Sequence, residues 1–411
     1  RHPRRFAKRH YQSDLRLDDL RLDGLRLDGL RLEHIRGQGS PRISSTAYST
    51  RYAMVLGDSL GQGRASMIAD PTINYPDSLA LAQLPTPLQP LDRLSAQFSG
   101  PRIWVKHDDL TGCALSGNKI RKLEFTLARA LAEGCDTLIT CGGVQSNHCR
   151  ATAILGARLG LKVHLILRDE ELRDEELDGD QQSTAPDGNL LLDYLAGAEV
   201  SIYPKAEFQS RQRELFEHWS QHYAAQGHKT YLIPTGASDG TGIWGYIRCI
   251  EELIGDFNQA AIQPSHIIHA TGSGGTQAGL SLGCALHQLD AQVLGIAVCD
   301  NAAYFQRKVM ADISDWQNRY EFASLPESLS IQVNDDFIGP GYSKAGPEVF
   351  ATVKKVAALE GLLLDPVYTG KAFHGMLTLI EQGYFAEASD IVFVHTGGLF
   401  GLFAQREQLS F

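Results

Sequence analysis

The stretch that decides the fold is Thr137-Leu-Ile-Thr-Cys141-Gly-Gly-Val-Gln-Ser146-Asn-His-Cys-Arg150, running on to Leu159-Gly160. Residues 137–141 are a short apolar run of the length of a buried strand. Two glycines then turn the chain. Ser146 suits an N-cap, residues 146–159 read as a helix, and Gly160 is a stop. The same order of strand, glycine-bearing turn and helix recurs in both directions. Strand signals fall at 103–106, 163–167, 200–203, 231–233, 266–270, 293–298 and 391–394, and helix signals at 119–133, 189–196 and 206–226. Strands alternating with helices imply an α/β fold with mostly parallel sheets flanked by helices. Ligands in such sheets bind beyond the C-terminal ends of the strands, so the turns after strands hold the chemistry.

Composition narrows the function. A chain of 411 residues suits two domains. Hydrophobic residues make up 43% and charged residues 21%, as in a globular protein. The net charge of −10 argues against nucleic acid as the main partner. No apolar stretch approaches the roughly 18 residues a membrane span needs. Seven cysteines, an odd number with no C-x-x-C pair, suggest a reducing compartment and no metal centre.

Residues 1–66 are of a different composition. They hold 13 Lys/Arg and 7 Asp/Glu, leaving −16 for the remainder. A five-residue period runs from Leu15 through four units to His34, too few to stack a solenoid core. We read this segment as a disordered or extraneous extension, with the folded chain starting at Met67. A cytoplasmic location is expected, or a mitochondrion or plastid if the basic start is a transit segment.

Three turns carry candidate chemistry. In Ala114-Leu-Ser-Gly-Asn-Lys119-Ile-Arg-Lys122-Leu-Glu124, two lysines lie one turn apart at a helix start. A lysine near apolar neighbours and a second cation is suited to Schiff-base chemistry. On spacing alone, two surface lysines is the simpler reading. Thr271-Gly272-Ser273-Gly274-Gly275-Thr276-Gln277 opens a helix straight after a strand, where free N–H groups cradle one phosphate. Gln277 stands where a dinucleotide fingerprint needs glycine, and Asn118 spoils a triphosphate loop. Ser146-Asn147-His148 offers hydroxyl, amide and imidazole groups at a third helix start, for a ligand or as a plain cap. Asp365-Pro-Val-Tyr368-Thr369-Gly-Lys371 and His395-Thr396-Gly-Gly-Leu-Phe-Gly401 are further polar turns. A Schiff-base lysine with a monophosphate site points to pyridoxal phosphate.

With these motifs in view, the chain from about residue 84 to 403 resembles the D-cysteine desulfhydrase and 1-aminocyclopropane-1-carboxylate deaminase group of pyridoxal-phosphate enzymes. That group has the tryptophan-synthase-β-like fold, fold type II. The resemblance implies a large domain from 67–122 and 240–411, a small domain from 123–239, and a homodimer acting on a small amino acid. It implies Lys119 as the cofactor's lysine, with Lys122, Gly272, Ser273, Gly274, Gly275 and Thr276 about the phosphate. Asn147 would bond the ring hydroxyl and Thr396 would sit near the pyridine nitrogen. Ser146 and His148 would hold the substrate carboxylate, and Tyr342, Tyr368 and Thr369 would flank the substrate. Thr369, Thr396 and His148 resemble the desulfhydrase branch rather than the deaminases. The implied reaction is α,β-elimination of D-cysteine to pyruvate, hydrogen sulfide and ammonia. The alternatives are cyclopropane ring opening, or a lyase for cysteate, 3-chloroalanine or another β-substituted amino acid.

Overall fold

Every residue of Thr137–Gly143 is buried, as expected of a strand covered on both faces by helices. The computed structural model describes residues 73–170 and 185–410. The expected N-terminal extension, its start point at Met67 and most of the acidic loop at 169–187 lie outside the described residues.

The strands are β1 (Leu88–Pro90), β2 (Arg102–Lys106), β3 (Thr137–Gly143), β4 (Lys162–Asp169), β5 (Glu199–Pro204), β6 (Thr230–Leu232), β7 (His266–Thr271), β8 (Gln292–Ala297), β9 (Gln332–Asn334) and β10 (Asp390–Val394). The helices are α1 (Asp92–Ser95), α2 (Lys119–Ala132), α3 (Asn147–Leu159), α4 (Gly188–Leu195), α5 (Lys205–Ala224), α6 (Trp244–Ala260), α7 (Gly275–Leu286), α8 (Ala302–Arg319), α9 (Pro347–Glu360), α10 (Thr369–Glu381) and α11 (Leu399–Phe403).

Two sheets result. One has the order β1-β2-β10-β7-β8-β9, the other β5-β4-β3-β6. All pairs are parallel except β1 with β2. Register brings strand ends together: Val394 beside Lys106, Thr271 beside Ala297, and Gly143 beside Arg168. The predicted strands and helices are present, with small differences at their ends. Two three-residue strands, β1 and β9, went unread; β1 contains a proline. Among the described residues no helix is long and apolar enough to cross a membrane.

Helix α2 links the two sheets. Ile120, Leu123, Leu127 and Ala130 pack with Leu138 and Leu165 in the core of the four-stranded sheet. On another face α2 packs against α6. The expected boundary at 122/123 falls inside this unbroken helix. Arg121 anchors it: the guanidinium grips Asp108 through Nε and Nη2, both at 2.8 Å, and Glu252 through two bonds of 3.0 Å. Tyr246 also donates to Asp108. The Arg121 guanidinium holds the Asp108 carboxyl below its ordinary range against the opposing effect of burial. The carbonyl of Asp108 accepts from the N–H of Gly117 at 3.0 Å, which ties down the turn leading into Lys119.

Removing one partner of a buried ion pair leaves the other charge without compensation. Arg121→Met is expected to lower stability by about 3–5 kcal/mol in urea unfolding. The double variant with Asp108→Asn should recover part of that loss.

Candidate active site

A cavity of about 830 Å³ opens where the strand ends of both sheets meet. Lys119 lines it, half-buried, at the first position of α2. Its Nζ donates to Asn118 Oδ1 at 2.8 Å, while Asn118 Nδ2 donates to Thr276 Oγ1 at 2.8 Å. Asn118 thereby joins the lysine to the glycine-rich turn before α7. The turn is tight: a Cβ on Gly117, at φ +114°, would lie 2.8 Å from the carbonyl oxygen of Thr396. Burial and the Arg150 guanidinium push the Lys119 ammonium down to about 8, against an opposing pull from Asp365. Arg150 is fully buried, stacks on Phe400 and donates to the carbonyl of Ser116. Arg150 thus adds a cation beside Lys119 that the sequence reading did not name, while the expected Lys122 is also coupled to it by charge repulsion. The outcome is an amine with an appreciable neutral fraction near neutral pH.

Gly272, Ser273, Gly274 and Thr276 line the cavity at the start of α7. Facing them is the turn from Pro234 to Ser238, which lacks side-chain bulk. A Cβ on Gly236, at φ +69°, would sit 2.4 Å from Ser273 Oγ. Ser238 Oγ bonds Ser273 Oγ at 2.9 Å and accepts from the N–H of Gly275 at 3.2 Å. Lys308 Nζ reaches the Ser238 carbonyl at 3.2 Å. Lys122 does not line the cavity as expected. It is fully buried behind the wall, with Nζ 3.3 Å from Ser238 Oγ. Gly275 likewise stands behind the lining, and contributes through its N–H to Ser238. Helix N-terminal N–H groups, two serines and nearby lysines form an anion cradle.

At the start of α3, Ser146 Oγ accepts from the N–H of Cys149 at 3.2 Å and retains its own proton for donation. Asn147 Oδ1 accepts from Asn189 Nδ2 at 3.0 Å, so the Asn147 NH₂ group is free to donate into the cavity. His148 departs from expectation. Thr140 Oγ1 donates its single proton to the Ile233 carbonyl at 2.9 Å. The 2.8 Å contact to His148 Nε2 therefore has the ring N–H as donor. Nδ1 is left as a buried acceptor without a partner, and burial keeps the ring neutral. A neutral ring with a bare Nδ1 repels a carboxylate and accepts an N–H.

Tyr342 and Tyr368 line the opposite wall, hydroxyls 2.7 Å apart. Burial pushes both phenols up. The Arg168 guanidinium lies 4.8 Å over the Tyr342 ring. Thr369 is not at the cavity, contrary to expectation. It is fully buried, and its hydroxyl donates to Asp365 Oδ1 at 2.7 Å and accepts from the Asp365 N–H at 2.9 Å. Asp365 also holds the N–H groups of Val367 and Tyr368 at 2.9 Å, which sets the tyrosine's angle. Thr396 lines the cavity just beyond β10. Asn118, Arg168, Thr235, Ser238, Asn189 and Lys308 went unread as site residues. A glycine-rich turn after β6 was the available signal for Ser238. Arg168, Asn189 and Lys308 carry no local pattern.

This cavity fits pyridoxal phosphate: a lysine of depressed pKa, an anion cradle that only glycine permits at 236, and an inward-facing amide. Two buried polar atoms in its wall, Thr271 Oγ1 and His148 Nδ1, lack protein partners. The chain belongs to the pyridoxal-phosphate dependent enzyme family, whose model matches residues 79–397. Over 331 residues it is 39% identical to the D-cysteine desulfhydrase of Klebsiella pneumoniae, covering 80% of this chain and 97% of that one. It is 40% identical over 345 residues to the mitochondrial bifunctional D-cysteine desulfhydrase/1-aminocyclopropane-1-carboxylate deaminase of Arabidopsis thaliana, covering 81% of each. A crystal structure of an ACC deaminase homologue superposes with a TM-score of 0.70 at 34% identity, covering 81% of this chain and 95% of that one. The chain is therefore a pyridoxal-phosphate dependent enzyme of fold type II.

Only a neutral amine is acylated. In cofactor-free protein, acetic anhydride labelling of Lys119, read by mass spectrometry, should rise with pH about a midpoint near 8. An exposed lysine would show its midpoint near 10.4.

Proposed function

We propose that this protein catalyses α,β-elimination of D-cysteine: D-cysteine and water give pyruvate, hydrogen sulfide and ammonia. The carrying observation is Thr396, a residue of the cavity lining whose side chain offers a neutral hydroxyl. Pyridoxal phosphate, when bound, draws electrons from the substrate's α-carbon, and a neutral hydroxyl at its ring nitrogen moderates that pull so that a ready leaving group such as thiolate departs. The names of relatives near 40% identity support the same reading.

In this reading Lys119 holds the cofactor, and Asn147 donates its NH₂ to the ring hydroxyl. Ser273, Gly274, Thr276 and Ser238 cradle the phosphate, with Lys122 supporting Ser238 from behind. The Ser146 hydroxyl and free N–H groups of α3 bind the substrate carboxylate. His148 Nδ1 orients a donor on the amino-acid nitrogen. Lys119 takes the α-proton, and the Tyr342–Tyr368 pair delivers a proton to the departing sulfur. Raised phenol pKa values keep that pair protonated and able to give a proton.

A second reading is ring opening of 1-aminocyclopropane-1-carboxylate to 2-oxobutanoate and ammonia. It is favoured by the bifunctional name of the Arabidopsis relative. Against it, Thr369 is turned to Asp365, so the residue after Tyr368 offers the cavity no acid.

The deciding assay supplies D-cysteine, L-cysteine and the cyclopropane amino acid separately and identifies the keto acid and sulfide. Pyruvate with sulfide from D-cysteine is expected; 2-oxobutanoate alone would transfer the assignment to the second reading, and silence on all three would defeat both. Lys119→Ala should abolish turnover. Tyr368→Phe, which removes one hydroxyl of the pair, should lower kcat by roughly 10²–10⁴-fold with little change in KM.

A further inference from the structure

Lys371 stands on α10, three residues beyond Tyr368, and is fully buried. Its Nζ donates to three main-chain carbonyls: Ile338 at 2.7 Å, Gly341 at 2.7 Å and Val298 at 3.2 Å. An ammonium has three N–H donors, so all are engaged by carbonyl oxygen. Those carbonyls come from two segments. Val298 follows β8 and leads into Cys299 and Asp300, which line the cavity. Ile338 and Gly341 belong to the loop that carries Tyr342. A second tie to that loop is Gln405 Nε2 to the Ser343 carbonyl at 3.2 Å. An apolar side chain at 371 would fill the same space at no desolvation cost. What the cation adds is attraction for three oxygens that would otherwise face one another. Burial pushes this ammonium down to about 8, as expected of a charge whose partners are dipoles.

We propose that Lys371 is a positioning residue, the built-in cation of a three-carbonyl nest that fastens the Tyr342 loop to the end of β8. It thereby sets the contact between the Tyr342 and Tyr368 hydroxyls. The inference rests on the reading of those tyrosines as the proton-delivering wall. The nest is matched to an ammonium, so a shortened side chain leaves a place for a small monovalent cation.

The test compares wild type, Lys371→Met and Lys371→Ala, each full length. They are studied in choline chloride and then in KCl or NH₄Cl at equal ionic strength. Lys371→Met keeps a packed stem without charge and is expected to fold. Its kcat on D-cysteine should fall on the order of ten- to a hundred-fold, with a smaller change in KM, as for a modest misplacement of reacting groups. Hydrogen exchange at 338–342 should quicken in the same variant without cofactor. Lys371→Ala should regain kcat in K⁺ or NH₄⁺, and its cofactor-free thermal midpoint should rise with the same salts. Wild type should be indifferent to them. Wild-type kcat and exchange in Lys371→Met would overturn the proposal. So would a Lys371→Ala that binds pyridoxal phosphate normally yet responds to neither cation. If wild type turned over none of the amino acids, the functional reading would fail, while exchange and midpoints would still decide the role of Lys371.

Discussion

The grip of Arg121 on Asp108 and Glu252 is the constraint on which the site depends. The guanidinium is planar and meets each carboxylate through two bonds, so it fixes direction as well as distance. It lies two residues beyond Lys119 on the same helix. Its partner Asp108 sits at the other end of the turn that feeds that helix. The turn and the first residues of α2 are thus closed into one rigid loop. Lys106, fully buried between Glu252 and Asp256, completes this cluster of alternating charge.

The two sheets contribute different chemistry to the cavity. The six-stranded sheet brings the anion cradle at β7 and Thr396 at β10. The four-stranded sheet brings the donors and the neutral imidazole at the end of β3. The amine belongs to α2, which packs on the four-stranded sheet's core and against α6, whose other residues pack on the six-stranded sheet. Lys119 owes its depressed pKa to this central position, where apolar neighbours desolvate it and Arg150 approaches from α3. Several polar groups of the cavity wall have their orientation set by another residue: Asn147 by Asn189, His148 by Thr140, Tyr368 by Asp365 and Tyr342.

Much of this was legible in the chain. Lys119, the glycine run at 272–276 and Ser146 each sit in a strand–turn–helix signal, and local patterns of that kind are carried by backbone sterics and capping. Tyr342 came only from family resemblance, since it stands in no pattern that separates it from an ordinary loop residue; Thr396 lies in a polar turn after a strand, but its role came from the resemblance. Where the reading failed, hydrogen bonds that the pattern does not show decided, some close in the chain and one far away. Thr369 is adjacent to Tyr368 but was claimed by the Asp365 carboxylate. Lys122 is one turn from Lys119 but was held behind Ser238, a residue 116 positions away. His148 was expected to donate, and the hydroxyl of Thr140 makes its free nitrogen an acceptor.

The sequence by itself determined the alternation of strands and helices, the parallel sheets, the glycine turns at strand ends and the candidate lysine. These follow from periodicity, capping and φ preferences, which act within a few residues. Tertiary structure alone decided that Arg150 comes close to Lys119, which nitrogen of His148 is bare, and which side chains face the cavity. Those outcomes depend on charges and hydrogen-bond partners brought together from distant positions, at energies that only burial makes large.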